Sequence, residues 1–119
     1  ETLSTPKEIQ AVSDDEEFLQ EITSMIEDRI SDYDLNVNSL CQQYGISSKQ
    51  AYRKLKQLTG QTPVEYIKSI RMKKAAMLLG QHKFNIAEVM YMVGFSNSSY
   101  FSKCFQNEFG KTPRQFIET

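Results

Sequence analysis

Apolar residues recur at helical spacing along most of the chain, and no stretch shows the sustained alternation of a half-buried strand. The first such pattern follows Asp14 and Asp15, either of which can cap a helix. Its apolar positions are Phe18, Ile22, Met25, Ile26 and Ile30. We expect this helix to end near residues 32–34. Residues 1–13 contain Pro6 and lack the periodicity, so we interpret them as a linker or tail.

Shorter helical segments follow residue 35, separated by capping residues, prolines and glycines. Helix starts are predicted at Asn36, at Ser47 with Gln50, at Asn85 with Glu88, and at Ser96 or Asn97. Pro63 and Pro113 suit the first turns of two more helices. The glycines that close the segments are Gly45, Gly60, Gly80, Gly94 and Gly110. The pattern therefore predicts an all-α fold of about seven helices, the longest after the first spanning 63–80.

The chain contains an internal repeat. NVNSLCQQYGIS (36–47) aligns with NIAEVMYMVGFS (85–96) at an offset of 49, and GQTPVEYI (60–67) aligns with GKTPRQFI (110–117) at an offset of 50. One residue is thus inserted between the two blocks, and we place it at Asn97. Each copy reads as a short helix, a turn that contains glycine, and a longer helix, which is the helix-turn-helix pattern.

The repeat divides the chain into five parts. These are a linker or tail (1–13), an acidic connecting helix (14–35), a first helix-turn-helix unit (36–62), a connector helix (63–82) and a second unit (83–119). A helical-repeat scaffold is the structural alternative. Such scaffolds usually stack three or more copies of longer helices, which fits two unequal helix pairs poorly.

Charge is distributed unevenly along the chain. The net charge of −1 combines −9 for residues 1–35 with +8 for residues 36–119. A basic segment of this kind indicates a polyanionic partner, whereas the acidic segment could also serve as a solubilising linker. No apolar run approaches the roughly 20 residues of a membrane span. Because the first residue is Glu1 rather than Met, we expect the chain to be a segment of a longer protein.

Residues suited to catalysis or metal binding are scarce. The single histidine, His82, lies in a polar loop, and Cys41 and Cys104 are far apart, so a usual four-ligand zinc site is not available. We expect both cysteines to be buried thiols. Phosphate-cradling loops and nucleophile motifs do not occur either. We therefore predict no catalytic residue, metal, cofactor or small-molecule ligand.

The second helix of a helix-turn-helix unit enters the major groove of DNA, where side chains near its start reach the base edges. In the first copy Ala51, Leu55 and Leu58 define a buried side. Lys49, Tyr52 and Arg53 point away from it and are predicted to contact bases. A guanidinium such as that of Arg53 can form two hydrogen bonds with guanine. The alternative is an ordinary solvated basic face.

The second copy offers smaller polar side chains. Phe101, Phe105 and Phe109 are expected to be buried, and base contacts are predicted for Ser98, Ser99, Ser102 and Lys103. Serines at a helix start can instead be simple caps. Phosphate contacts are predicted for Ser48, Lys56, Lys74, Asn97, Lys111 and Arg114. Arg71 could contact phosphate or be tied to a carboxylate inside the protein.

The stretch GFSNSSYFSKCFQNEFGKTPRQF (94–116) resembles the signature of AraC/XylS regulators. RMKKAAMLL (71–79) resembles the connector helix of that family, and the similarity covers roughly 36–117. The segment 52–76 is similar to output domains of hybrid two-component regulators. Three positions depart from the family pattern: Ala51 is smaller than usual, Gln106 replaces a common lysine, and Ile117 replaces a frequent arginine.

The resemblance implies two recognition helices on one face of the protein that enter successive major grooves of double-stranded DNA. It also implies bacterial transcription regulation, receiver and kinase domains in the same chain, RNA polymerase as a further partner, and a cytoplasmic location below a membrane sensor. The alternative function is a helical interaction module without DNA readout. In that case residues 14–32 would form a homodimer or relay a signal through their apolar stripe, which could equally pack on the module's own core.

Overall fold

The computed structural model describes residues 6–118, with side chains from residue 13 onward, and this range contains seven α-helices and no strand. The all-α fold predicted from the sequence is confirmed. The helices are α1 (Pro6–Asp28), α2 (Val37–Tyr44), α3 (Ser48–Thr59), α4 (Pro63–Gly80), α5 (Ile86–Met92), α6 (Ser98–Phe109) and α7 (Pro113–Ile117). Within residues 6–118 no helix combines the length and the apolar character that crossing a membrane would require.

Short-range hydrogen bonds set the helix boundaries from residue 36 onward. Ser47 and Gln50 form the predicted capping box at the start of α3. The Gln50 N–H donates to Ser47 Oγ and the Ser47 N–H donates to Gln50 Oε1, both at 3.1 Å. The box predicted from Asn85 and Glu88 also forms. Equivalent boxes start α2, α4 and α7 at Asn36, Thr62 and Thr112. The predicted left-handed glycines end α2, α3 and α6 (Gly45, Gly60 and Gly110).

Helix α1 begins earlier and ends earlier than predicted. Residues 6–13, interpreted above as linker or tail, are helical, and Asp14 and Asp15 lie inside the helix instead of capping it. The physical reason is that a proline in the first helical turn removes only an N–H that would lack a partner there, so Pro6 is compatible with the start. The helix ends at Asp28, and residues 29–35 form turns that the sequence analysis counted as helix. Residues 1–5 lie outside the described range.

The apolar stripe of α1 belongs to the core of the first helix-turn-helix unit. Phe18, Ile22 and Ile26 are almost fully buried. They pack in one cluster with residues of the first unit and of α4, namely Leu35, Leu40, Leu55 and Ile67. Of the two alternatives left open by the sequence, packing on the module's own core is therefore correct. A homodimer through residues 14–32 stays a prediction.

A second cluster fills the other half of the molecule. It consists of the C-terminal part of α4 and the buried faces of α5 and α6, with Met72, Ala75, Leu79, Val89, Val93, Phe101 and Phe105 among its members. The ring of Phe105 also contacts Phe109 (4.7 Å between centroids) and Phe116 (5.4 Å). Since α4 contributes to both clusters, it joins the two units as predicted. Both cysteines are buried free thiols, which confirms that expectation.

The two units repeat in three dimensions. Helices α3 and α6 each contain 12 residues, and they start 50 positions apart. Their N-caps, Ser47 and Asn97, are also 50 positions apart. The inserted residue therefore lies before the cap, in the turn that contains Ser96, and not at Asn97 as the sequence alignment placed it.

Candidate nucleic-acid interface

Helix α3 buries one side and exposes the opposite, basic side. Ala51 and Leu55 are buried. Lys49, Arg53 and Lys56 are exposed, as is half of the Tyr52 side chain. Residues four apart lie on adjacent turns of one helix face, so these side chains form a contiguous exposed surface. The predicted division of α3 into buried and exposed sides is confirmed, although Leu58 is only half-buried.

Neighbouring cations on α3 have different environments. Both Arg53 and Lys54 line a shallow groove with Ile46, Gln50 and Gln57. Lys54, the next residue, places its Nζ 4.6 Å from the ring centroid of Phe18 in α1. This cation–π contact directs Lys54 toward the body of the protein, whereas Arg53 faces solvent.

At the start of α3, Ser48 is exposed and its hydroxyl donates to Asn38 Oδ1 at 3.2 Å. Ser48 is the first residue of the helix. The first backbone N–H groups of a helix lack intrahelical partners, and they can bind a phosphate. The main chain of Ser48 is therefore better suited to a phosphate contact than its hydroxyl.

Helix α6 repeats this arrangement with smaller polar groups. Phe101 and Phe105 are buried, whereas Phe109, predicted to be buried, is only half-buried. The predicted contact residues Ser98, Ser99 and Lys103 are exposed, and Ser102 is half-buried. The amide oxygen of Asn97 accepts the N–H of Tyr100 at 2.8 Å, so this oxygen serves as the helix cap. The amide nitrogen of Asn97 is the group that could reach a phosphate.

One groove brings together predicted contact residues from two helices. Ser98 and Ser102 of α6 line it with Arg114 of α7, and its floor includes Met90 of α5. Arg114 is exposed and lies in the first turn of α7. The structure thus combines two predicted base contacts with a predicted phosphate contact. Lys111 is exposed in the connection between α6 and α7.

Two cations of α4 have surroundings that the sequence did not predict. Lys74 is exposed, but it lines a groove between α4 and the acidic helix α1, together with Glu27. Arg71 is buried, and its Nη2 donates to the backbone carbonyl of Asp32 at 2.6 Å. Its hydrogen bond is to a backbone carbonyl, and the carboxylate of Asp32 acts on it through its charge. Burial lowers the pKa of Arg71, and the negative charge of Asp32 partly opposes this.

Helices α4 and α6 are joined by a contact that the sequence did not predict. Lys68 Nζ lies 5.4 Å from the ring centroid of Tyr100, and the interaction with the Tyr100 side chain raises the pKa of Lys68. Tyr100 is 46% exposed and lies in the first turn of α6, beside Ser99. Its position next to predicted base contacts was the available signal, but the sequence analysis assigned Tyr100 to neither face of the helix.

The acidic surface of α1 lies against the first unit. Burial raises the pKa of Tyr44 in α2, and the charges of Glu21, Glu17 and Asp14 raise it further. Tyr44 also packs edge-on against Phe18, with 5.3 Å between ring centroids. The negative residues of α1 are therefore part of the electrostatic surroundings of the first helix-turn-helix unit.

Comparison with known proteins identifies the domain. Residues 40–119 match a helix-turn-helix domain family. The fold superimposes, with a TM-score of 0.77, on a transcriptional regulator from Chromobacterium violaceum that is described as an AraC-type DNA-binding domain protein. That protein is 31% identical, and the similarity covers 84% of this chain and 88% of the other. The chain belongs to the AraC-type helix-turn-helix family. The resemblance drawn from residues 94–116 is confirmed.

Two further relatives of this AraC-type domain come from signalling proteins. The C-terminal domain of AraT, a response regulator from Geobacillus stearothermophilus, is 29% identical with a TM-score of 0.77, covering 83% of this chain and 82% of that one. Histidine kinase P4 from Formosa agariphila is 41% identical over 112 residues, which is 94% of this chain. The matched segment makes up only 8% of that kinase.

Proposed function

We propose that this AraC-type domain binds double-stranded DNA in a sequence-specific manner, with α3 and α6 as its two recognition helices, and thereby regulates bacterial transcription. The observation that carries the proposal is that α3 and α6 repeat the same arrangement. Two helices of 12 residues follow equivalent turns, and each buries an apolar side while exposing polar or basic side chains near its start. This is the geometry in which helix-turn-helix proteins read the major groove.

The proposed base contacts are Lys49, Tyr52 and Arg53 on α3, and Ser98, Ser99, Ser102 and Lys103 on α6. The proposed phosphate contacts are Ser48, Lys56, Lys74, Asn97, Lys111 and Arg114. Exposure and position near helix starts support these roles. Among these, Lys74 shares its groove with Glu27, whose negative charge should weaken a phosphate contact there.

We further propose that the domain is the output module of a longer two-component regulator that carries receiver and kinase domains in the same chain. The similarity to a segment of a histidine kinase and to a response-regulator domain supports this proposal. In this arrangement the signal would arrive through α1, and the DNA-bound domain would lie in the cytoplasm and contact RNA polymerase. The AraC-type domain itself is a DNA-binding module and not an enzyme.

Selection from random duplexes, followed by affinity measurements at one salt concentration, tests the DNA proposal. A selected duplex should bind at least roughly 10³-fold more tightly than a scrambled duplex of the same composition, as specific DNA-binding proteins do. Equal affinity for both duplexes would show that the domain binds DNA only through charge. Absence of binding to either would refute the proposed function altogether.

A further inference from the structure

Arg71 lies where the two helix-turn-helix units and the segment after α1 meet. Its side chain comes from α4 and is only 8% exposed. Its one direct hydrogen bond is to the backbone carbonyl of Asp32, 39 residues away, in the connection between α1 and α2. The carboxylate of Asp32 is directed to Arg29 instead, at 2.9 Å. Arg71 therefore holds the main chain of this connection and forms no ion pair with it.

The turn of the second unit touches the same connection. Gly94 has φ +84°, and a Cβ at this position would lie 2.7 Å from the carbonyl oxygen of Ile30 and 2.9 Å from Arg71 Cζ. Only glycine adopts this backbone conformation without strain, and only glycine leaves room for the two neighbours. The α1–α2 connection, Arg71 and the turn between α5 and α6 are thus in direct contact.

From this turn the contacts continue into the second recognition helix. The guanidinium of Arg71 lies 5.9 Å from the ring centroid of Phe95. Phe95 packs against Tyr100 at 5.7 Å and against Phe101 at 5.5 Å. Both aromatic residues are in the first turn of α6, beside the proposed base contacts Ser98 and Ser99. Arg71 is therefore connected to the reading end of α6 through a single side chain.

The surroundings of Arg71 are poorly suited to a purely stabilising role. Its buried Nε has no hydrogen-bond partner in the described part of the chain, and the Asp32 carboxylate acts on its charge while being hydrogen-bonded to Arg29. Burying a charge that is incompletely paired is unfavourable. An apolar side chain would satisfy a packing role without this cost, but it could not donate to the Asp32 carbonyl while lying against Phe95.

We propose that Arg71 is a positioning residue for the second recognition helix. By holding the Gly94–Phe95 turn against the α1–α2 connection, it sets the orientation in which the start of α6 meets DNA. This inference rests on the proposed function, since it concerns the bases read by α6. The connection between α1 and α2 therefore contacts Arg71 and the turn of the second unit, in addition to the first unit.

The test compares three variants of the complete chain on the selected DNA site. Arg71→Met keeps the length of the side chain but removes the hydrogen bond and the charge. Arg71→Lys keeps the charge and one donor but not the planar group over Phe95. Lys73→Met removes a positive charge from an exposed position of the same helix, and it measures the effect of charge alone. Affinities for every single-base substitution of the site then give the discrimination at each position.

Two further variants assign each base position to a helix. Positions at which Lys103→Ala changes base discrimination are assigned to α6, and positions at which Arg53→Ala changes it are assigned to α3. Relative to Lys73→Met, we expect Arg71→Met to reduce discrimination at the α6 positions about tenfold, the contribution of one well-placed base contact. Discrimination at the α3 positions should stay within about twofold, since α3 does not depend on this support. Arg71→Lys should recover part of the loss. Equal losses at both sets of positions, or no loss at either, would overturn the inference.

Amide hydrogen exchange, measured without DNA, tests the role of Arg71 independently of the proposed DNA binding. In Arg71→Lys, which retains the charge, we expect faster exchange at residues 94–101 and unchanged exchange at residues 48–55. If the wild-type chain showed no sequence preference, the proposed function would fail, and the exchange pattern would still decide whether Arg71 supports α6. Uniformly faster exchange, or no change in α6, would mean that Arg71 has no positioning role. Should Arg71→Met not fold, Arg71→Lys carries both measurements.

Discussion

At the scale of single residues, the adjacent cations Arg53 and Lys54 have different surroundings. Arg53 faces solvent from the exposed side of α3, whereas Lys54 lies over the ring of Phe18. Both are cations on one helix, and their spacing alone does not assign one to DNA and the other to the protein. The contrast provides a matched pair of substitutions.

Arg53→Ala should weaken binding to the preferred duplex by about 1–3 kcal/mol and relax base preference at one position, because a bidentate contact to a base is lost. Lys54→Ala removes the same charge from the same helix but should leave base preference unchanged. Titrations against the preferred duplex and its single-base variants measure both. If Arg53→Ala weakened binding equally on all sequences, Arg53 would be a phosphate contact.

The cap of α4 should make stability depend on pH. The N–H of Thr62 donates to the Glu65 carboxylate at 2.8 Å, and this bond lowers the pKa of Glu65 from its ordinary 4.5. A carboxyl with a lower pKa in the folded state stabilises the fold above its unfolded pKa, and the contribution disappears as the pH falls through the folded value. Glu65→Gln should keep the cap, because Gln115 fills the equivalent place at Thr112.

Urea unfolding at pH 7 and pH 3 tests this expectation. The wild type should lose more of its unfolding free energy between the two pH values than Glu65→Gln does. Glu88→Gln, which makes the same change in the capping box at Asn85, is the matched variant. Identical pH dependence of wild type and Glu65→Gln would show that the Glu65 carboxylate does not contribute.

At the scale of helices, α1 is a structural part of the first unit and not a detachable linker. Its buried residues Phe18, Ile22 and Ile26 share a cluster with Leu40 and Leu55 of the helix pair. Deleting α1 would therefore expose this core, and point substitutions are the better test of its role.

Ile26→Ala should destabilise the domain by about 2–5 kcal/mol, because it removes buried methyl groups and leaves a cavity. Ser24→Ala, on the exposed side of the same helix, should change stability by less than about 0.5 kcal/mol. The denaturant midpoint of each variant provides the measurement. A loss as small as that of Ser24→Ala would indicate that α1 does not contribute to the core in solution.

The two recognition helices should act as partly independent elements. Lys103→Glu places a negative charge on the exposed face of α6 and should abolish protection of one half of a DNA footprint, through repulsion by phosphate. The half protected by α3 should persist at higher protein concentration. Lys103→Gln, which is neutral, should have a smaller effect. Loss of the entire footprint at every concentration would contradict separate units.

At the scale of the whole molecule, the net charge conceals two opposite regions. Residues 36–119 carry +8, and the acidic residues concentrate in residues 1–35. Because α1 packs on the first unit, its negative charge lies beside Tyr44 of that unit and does not form a remote tail.

Affinity for DNA should fall steeply with salt. If about six phosphates are neutralised, log K should decrease with log salt concentration at a slope near −5, because bound counterions are released. Replacing Lys56 by Gln should make the slope shallower by about one if that side chain contacts a phosphate. A slope near zero would be incompatible with the proposed interface.

The amino-acid sequence by itself determined the helix boundaries after residue 36, the repeat and the exposed faces of α3 and α6. Caps and left-handed glycines depend on atoms only a few residues apart, as in the pairs Ser47–Gln50 and Asn85–Glu88, so local chemistry is sufficient to predict them. Helical periodicity likewise separates Arg53 from Leu55.

Only the tertiary structure decided the roles of Arg71, Lys54 and Lys68. Their partners are Asp32, Phe18 and Tyr100, which lie more than 30 residues away along the chain. A cation in a helix has the same local signature whether it meets solvent, a carbonyl group or an aromatic ring. Which of these it meets is set by how the helices pack, and the packing depends on the whole chain at once.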